Sequence, residues 1–346
     1  MVAPTVEQLR PLVLDAEREQ ARRSFASFLG HVRIQEQGTG AIKFEMWPHL
    51  QELTADRELH RLIVRLKPKQ VGISWWLASL AVWVGQFTPA GLMMLFSRGE
   101  RESHELLRKA RVVHQLLPLH LQVPLASSNM ESMVFENGGR VLAFPSTPEA
   151  GIGETATVAA VDEADFHPYF EENLTNIKPT TDAGGQLIIA STSNPKTIVS
   201  GFKKLYRAAP GNGYHKRFYS WRVRPGRDDA WYKAVMASAL DPVIEQKNYP
   251  NTEQEALSAP QSIRAFDVEA LDRMREDKRK PLSVNGPVTV WIKRIVGHRY
   301  VAWTDTSHGV GADYFVTPIM DVDSGAVVAD VFSNTITPED GAELSM

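Results

Sequence analysis

The chain has 346 residues, 43% of them apolar and 23% charged, a composition that fits a soluble globular protein of one large domain or two ordinary ones. A net charge of −3 and an isoelectric point near 6.4 exclude an overall basic nucleic-acid binder, though not a local basic surface. Cysteine is absent, which excludes disulfides and thiolate metal sites and suits a reducing compartment.

Residues 1–23 are mixed and charged, with no apolar signal core. The spacing of Val13, Ala16, Ala21, Phe25 and Phe28 predicts a helix over 10–29, with Pro11 tolerated in its first turn. After an irregular link around Gly38 and Gly40 comes Phe44-Glu45-Met46-Trp47-Pro48-His49-Leu50-Gln51. Such an aromatic–proline segment can stack on a purine and read its edge through Gln51. A packed helix start with Gln51 in solvent is the competing account.

An apolar run, Leu62-Ile63-Val64, then leads into Arg65-Leu66-Lys67-Pro68-Lys69-Gln70-Val71-Gly72-Ile73-Ser74. Strand, tight loop and helix start is the context of a phosphate-cradling loop, because backbone N–H groups and a helix N-terminus converge on the anion. Against the pattern G-x-x-x-x-G-K-S/T, Gly72 and Ser74 hold the second glycine and the hydroxyl. Ile73 replaces the lysine, and Lys67 stands at the first glycine, so the positive charge is displaced to the loop entrance. An ordinary strand–turn–helix link carrying two lysines remains open at this point. Residues 71–96 have no charged side chain and are long enough to suggest a membrane span. Gln86, Thr88, Pro89 and Gly91 instead divide them into a buried helix to about Phe87 and a strand over 92–96.

Further on, the pattern predicts an amphipathic helix over 101–117 and a hairpin of 132–136 with 140–144 around Asn137-Gly138-Gly139. Strands are predicted at 157–161, ending in Asp162-Glu163-Ala164-Asp165, and at 186–190, ending in Ser191-Thr192-Ser193-Asn194-Pro195. One more is predicted at 217–222. Strands alternating with helices predict an α/β domain with a largely parallel sheet, whose ligands bind outside the carboxyl ends of the strands. The loop at 67–74, the acids at 162–163 and the polar run at 191–194 all follow strands, so they can share one site. Beyond Pro225 the pattern predicts helices over 228–240 and 267–280, then strands at 288–295, 300–304, 314–321 and 326–332 with a turn at Asp323-Ser324-Gly325. A second domain is therefore expected from about 285.

Beside a phosphate loop, Asp162-Glu163 supplies what nucleotide hydrolysis needs. Asp162 would hold Mg²⁺ together with the Ser74 hydroxyl, and Glu163 would orient and deprotonate the attacking water. A solvated acidic turn is the alternative. Ser191, Thr192 and Asn194 can sense the γ-phosphate and pass its loss to a moving part, or form a simple turn.

Taken together, these motifs resemble the large terminase subunit of tailed bacteriophages. Lys67-Pro68-Lys69-Gln70-Val71-Gly72-Ile73-Ser74 resembles its variant Walker A, often K-A-R-Q-x-G-I-S, and residues 158–163 resemble its Walker B. Ser191-Thr192-Ser193 is similar to its coupling motif and Phe44 to Gln51 to its adenine-recognising segment. Tyr249-Pro250-Asn251-Thr252-Glu253-Gln254-Glu255-Ala256 is similar to a stretch late in its ATPase domain. Thr304-Asp305-Thr306-Ser307-His308-Gly309, with Asp313 beyond, resembles the start of its RNase H-like nuclease domain.

The resemblance implies a P-loop ATPase domain over 1–265, with an N-terminal helical extension and a C-terminal lid region, a linker over 266–285 and the first part of a nuclease domain over 286–346. It implies an ATP-driven motor that moves double-stranded DNA through the portal protein into a procapsid. In that role the chain would act with a small terminase subunit, as a homo-oligomeric ring on the portal, in the bacterial host cytoplasm and away from any membrane. Carried over, Lys67, Lys69, Gln70, Gly72 and Ser74 would bind ATP, Gln51 adenine, Asp162 and Ser74 the Mg²⁺, and Asp305 the first Mg²⁺ or Mn²⁺ of the nuclease.

Three departures stand out. Lys69 replaces the family's usual arginine, keeping charge but losing the fork. Gly151-Ile152-Gly153 replaces a G-R-G whose arginine would act in trans, so either Arg98, Arg101 or Arg140 serves instead or hydrolysis is impaired. The chain stops at Met346, before the further acidic ligands a two-metal site needs, so no nuclease activity is expected of it alone. A helicase-like ATPase and a non-enzymatic capsid-assembly subunit with a degenerate loop are the competing functions.

Overall fold

A computed structural model describes residues 6–258, 274, 279–307 and 313–345, apart from the side chains of Val6, Gln8 and Val243. The helix expected over 267–280 lies outside them but for residues 274, 279 and 280, and so do His308 and Gly309 of the nuclease-like motif. The chain divides into two compact units, Met1–Arg264 and Ala265–Met346.

The first unit opens with α1 (Val6–Arg23) and α2 (Phe25–Leu29), where the sequence pattern had suggested one helix. Ser24 causes the break: its side chain accepts from the Ser27 N–H and caps α2. Val13 is 54% exposed, and the chain becomes buried only from Ala21, Phe25 and Phe28 onward. The hairpin β1 (Arg33–Glu36) and β2 (Gly40–Lys43) follows, then α3 (Pro48–Leu59), β3 (Leu62–Leu66) and α4 (Ile73–Phe87). Next come β4 (Leu92–Ser97), α5 (Glu100–Leu116), β5 (Leu125–Ser128), β6 (Ser132–Phe135), β7 (Arg140–Pro145) and β8 (Val158–Asp162). The unit continues with α6 (Phe170–Thr180), β9 (Gln186–Ser191), α7 (Gly201–Ala208), β10 (His215–Phe218), α8 (Asp229–Ser238), α9 (Pro242–Asn248) and α10 (Glu253–Leu257).

Eight strands form one sheet in the order β10-β3-β9-β8-β4-β7-β6-β5. From β10 to β7 all neighbours are parallel, and β6 and β5 add an antiparallel edge. The fold is α/β with a largely parallel sheet, as the pattern predicted. The reason is visible in the strands: β3, β4, β8 and β9 are almost continuous apolar runs, which suit a sheet covered on both faces. One face packs against α4 and α5 through Trp76, Leu77, Leu80 and Leu107, and the other around Phe96, Phe170, Phe202 and Tyr206. Close packing also fixes Gly139, where a Cβ would lie 1.9 Å from the Gly85 carbonyl oxygen.

Two expectations shift. The last strand is β10, earlier than 217–222, because Ser220 caps a short turn at Trp221–Val223 and buries Trp221. Helices α6 and α7 were not anticipated. The second unit contains β11 (Ser283–Asn285), β12 (Val288–Val290), β13 (Tyr300–Ala302), β14 (Phe315–Asp321), β15 (Val327–Ser333) and α11 (Pro338–Ser345). Its strands form an antiparallel sheet in the order β11-β12-β15-β14-β13. The strand expected over 288–295 is β12 alone, after which the chain leaves the sheet at Trp291.

Candidate nucleotide site

Parallel pairing of β3, β9 and β8 brings their carboxyl ends side by side, and the loops that follow meet there. Leaving β3, the main chain of Lys67 donates to the Ser191 carbonyl at 2.9 Å, and that of Lys69 donates to the Asn248 carbonyl at 2.9 Å. The loop then bends through two left-handed residues, Gln70 (φ 60°) and Gly72 (φ 79°). Gly72 adopts that conformation without strain, whereas for Gln70 it is uncommon and must be held by its surroundings. The His49 ring nitrogen Nε2 donates to the Val71 carbonyl at 2.7 Å, and α4 starts at Ile73 with its free N–H groups at the loop's mouth.

Four side chains converge on this mouth. The buried Lys67 ammonium donates to Glu163 at 2.6 Å and lies 3.9 Å from Asp162. The Ser74 hydroxyl donates to Asp162 at 2.6 Å. Glu163, a left-handed residue at φ 55°, also accepts from the Thr192 main-chain N–H at 2.9 Å. Burial by itself would discharge Lys67, but the carboxylates of Glu163 and Asp162 outweigh it and raise the ammonium's pKa. For Glu163 burial favours the neutral acid, but Lys67 and the Thr192 donors win and the carboxyl is held below its ordinary value.

Ser191, Thr192 and Asn194 of the polar run after β9 are bonded to the acidic segment. Asp165 N–H donates to the Ser191 hydroxyl at 2.8 Å, and Asn194 N–H donates to the Asp165 carboxylate at 2.6 Å. That carboxylate also accepts from Ser200 and pairs with buried Lys203 at 3.4 Å. Lys203 was not singled out from sequence, although a lysine between Phe202 and Tyr206 on an apolar helix face was the available signal.

Two recesses flank the loop. One of about 650 Å³ is walled by Trp47, Lys67, Gln70, Gly72, Glu163 and Arg224, among others. The other, of about 300 Å³, is lined by Lys69, Ser74, Arg98, Glu102, Asp162 and Glu163, among others. Gln51 lines neither: its side-chain amide donates to the Met46 carbonyl at 2.8 Å from the exposed face of α3. Trp47, His49 and Leu50 are residues of that segment that reach the loop: His49 through its bond to Val71, and Leu50 and the Trp47 ring at 3.2 and 3.6 Å from where a Gly72 Cβ would be. Of the substitute arginines, Arg98 is held by Glu102 at 2.6 Å at the smaller recess. Arg101 lies on the α5 surface, and Arg140 pairs with Glu154 at 2.9 Å, at the amino end of β7. Asp305 belongs to the second unit, just after β13, where its main chain exchanges two 2.9 Å bonds with Val316.

Residues 64–221, from β3 to the turn after β10, match the family model for the terminase large subunit, T4likevirus-type, N-terminal. That segment is similar to the N-terminal part of terminase large subunits. Similar solved structures are also terminases. The HK97 bacteriophage large terminase is 12% identical, over 90% of this chain and 67% of that one, with a TM-score of 0.51. The ATPase domain of the Thermus phage P74-26 large terminase is 17% identical, over 58% and 92%, at 0.48. A large terminase from a thermophilic bacteriophage, solved with ADP, is 10% identical, over 83% and 68%, at 0.44. At such identities the HK97 likeness speaks for the fold. No helix among the described residues is long and apolar enough to cross a membrane.

Proposed function

We propose that the chain is an ATP-hydrolysing subunit of a phage DNA-packaging motor. The observation that carries this reading is the single cluster of Lys67, Ser74, Asp162, Glu163 and Thr192 at the carboxyl ends of β3, β8 and β9. The loop N–H groups and the Lys67 ammonium receive the phosphates. Ser74 and Asp162 offer hydroxyl and carboxylate oxygens, hard donors that fit Mg²⁺, which would neutralise charge between the β- and γ-phosphates. Phosphate oxygens compete with Glu163 for Lys67, and the released carboxylate accepts a proton from the attacking water as the γ-phosphoryl leaves ADP. Loss of that phosphate changes what the Glu163–Thr192 bond can hold, and residues 191–194 carry the change to Asp165 and α7.

In this reading the motor works on double-stranded DNA at the portal, as a homo-oligomeric ring with a small terminase subunit, in the bacterial cytoplasm. Lys69 belongs to the phosphate wall, and Arg98, already beside the cleft, is the best placed of the three candidate trans arginines. We further propose that 286–346 opens an RNase H-like nuclease domain with Asp305 as its first Mg²⁺ or Mn²⁺ ligand. In support, β13, β14 and β15 form a consecutive antiparallel meander and Asp305 follows the first of them directly. Asp321 is engaged by His298 and Ser324, Asp323 by Arg299, and no three-ligand group among the described residues includes Asp305. The chain alone is therefore expected to leave DNA uncut. Phosphate release measured with and without double-stranded DNA, and DNA protection in the presence of portal-bearing procapsids, tests the proposal. ATP turnover with no response to either partner would refute the packaging role.

A further inference from the structure

The outer side of the phosphate loop faces a segment that nothing in the nucleotide reading uses. Arg224 Nη1 donates to the Gln70 carbonyl at 3.0 Å and faces its side-chain oxygen at 3.4 Å. Arg227 donates to the Lys69 carbonyl at 3.1 Å through Nη1 and to the Gln70 side-chain oxygen at 3.2 Å through Nη2. Each guanidinium is seated on aromatic rings, Arg224 5.6 Å from Trp47 and Arg227 4.5 Å from Trp231 and 4.9 Å from Tyr249. Among the described residues neither has a carboxylate within ion-pair distance. Their acceptors are the backbone and amide oxygens of the loop itself.

We propose that Arg224 and Arg227 form a clasp of positioning residues that fixes the phosphate loop in its anion-receiving shape. The reason is geometric. A peptide carbonyl and the following N–H point in opposite directions, so pinning the carbonyls of Lys69 and Gln70 outward aims the N–H groups of Gln70 and Val71 inward. The clasp also accounts for Gln70, a non-glycine residue held at φ 60°. Because the Trp231 and Tyr249 rings belong to α8 and to the residue after α9, the clasp ties the loop to the segment that follows β10. Burial, and then the neighbouring Arg224 charge, lowers the Arg227 pKa to about 10, so it stays cationic at neutral pH.

The inference rests on the nucleotide reading for its consequence but not for its test. In the full chain, Arg227→Ala and Arg224→Ala are expected to raise the KM for ATP about tenfold with kcat within threefold, since the loop must then be ordered on binding. Arg227→Lys keeps a charge but cannot span two acceptors, and is expected to behave like alanine. Arg222→Ala, on a neighbour that pairs with Asp229 instead, is expected to leave KM unchanged. Backbone amide exchange at residues 69–74, followed without nucleotide, is expected to speed up in Arg227→Ala but not in Arg222→Ala. A wild-type chain that binds no ATP would end the nucleotide reading, and the exchange comparison would still decide the clasp. Unchanged exchange at 69–74 in Arg227→Ala, or a lowered melting temperature with KM intact, overturns it.

Discussion

Replacing Glu163 with glutamine removes a charge and a base while keeping the side chain's volume. The remaining amide oxygen can accept from Lys67 or from the Thr192 N–H but not from both, as the carboxylate does at 2.6 and 2.9 Å. One lost bond of this kind costs about 1–2 kcal/mol of stability, so the variant is expected to fold. Loss of a general base costs about 10²–10⁴ in kcat, or about 3–5 kcal/mol of barrier. Lys67, Ser74 and Asp162 are untouched, so ATP affinity is expected to stay within about threefold of wild type. Steady-state phosphate release and calorimetric ATP binding on the same preparation separate the two effects. A folded Glu163→Gln protein that turns over ATP within tenfold of wild type would refute the role given to Glu163. So would a loss of turnover explained wholly by loss of binding.

Other predictions concern the frame around the site. Asp56 accepts from the fully buried Arg65 at 2.6 Å and from Arg217 at 3.0 Å, so Asp56→Ala strands a buried cation and is expected to cost about 3–5 kcal/mol in urea unfolding. Burial opposes it, but Arg217 and Arg65 hold the Asp56 carboxyl below its ordinary value of 3.8. The pair's stabilisation is therefore present above that value and lost as pH falls through the lower folded pKa; in Asp56→Asn this acid-dependent part should vanish from a stability–pH profile. Gly139→Ala places a Cβ against the Gly85 backbone, which has no flexible end to yield, and is expected to cost about 3 kcal/mol or more in thermal unfolding, or to prevent soluble expression.

Much of the site was legible because its residues sit where strands end. Apolar runs at β3, β8 and β9 announced buried parallel strands, and the motifs at Lys67–Ser74, Asp162–Glu163 and Ser191–Asn194 follow them in the chain. Gln86, Thr88, Pro89 and Gly91 correctly divided α4 from β4. Other features depend on distant neighbours. Arg65 inside an apolar strand was a signal of its own, but its partner Asp56 emerges only once α3 packs beside β3. Arg224 and Arg227 reach the loop because β10 pairs with β3, a pairing no local pattern encodes. Gln51 was singled out for its neighbours in sequence, yet its amide turns back to its own helix start, and Leu50 and Trp47 lie beside Gly72 instead. The split at Ser24 was missed because the apolar spacing continues across a residue that prefers to cap.

The central claim is that Lys67, Ser74, Asp162 and Glu163 surround one magnesium–triphosphate, and calorimetric titration of the full chain with ATP and Mg²⁺ tests it most directly. The account predicts saturable binding by the wild type and affinity reduced about 10- to 100-fold in Lys67→Ala, whose lost ammonium is buried and pairs with Glu163. A folded wild type that does not bind, or a Lys67→Ala variant that binds as tightly as wild type, would contradict it.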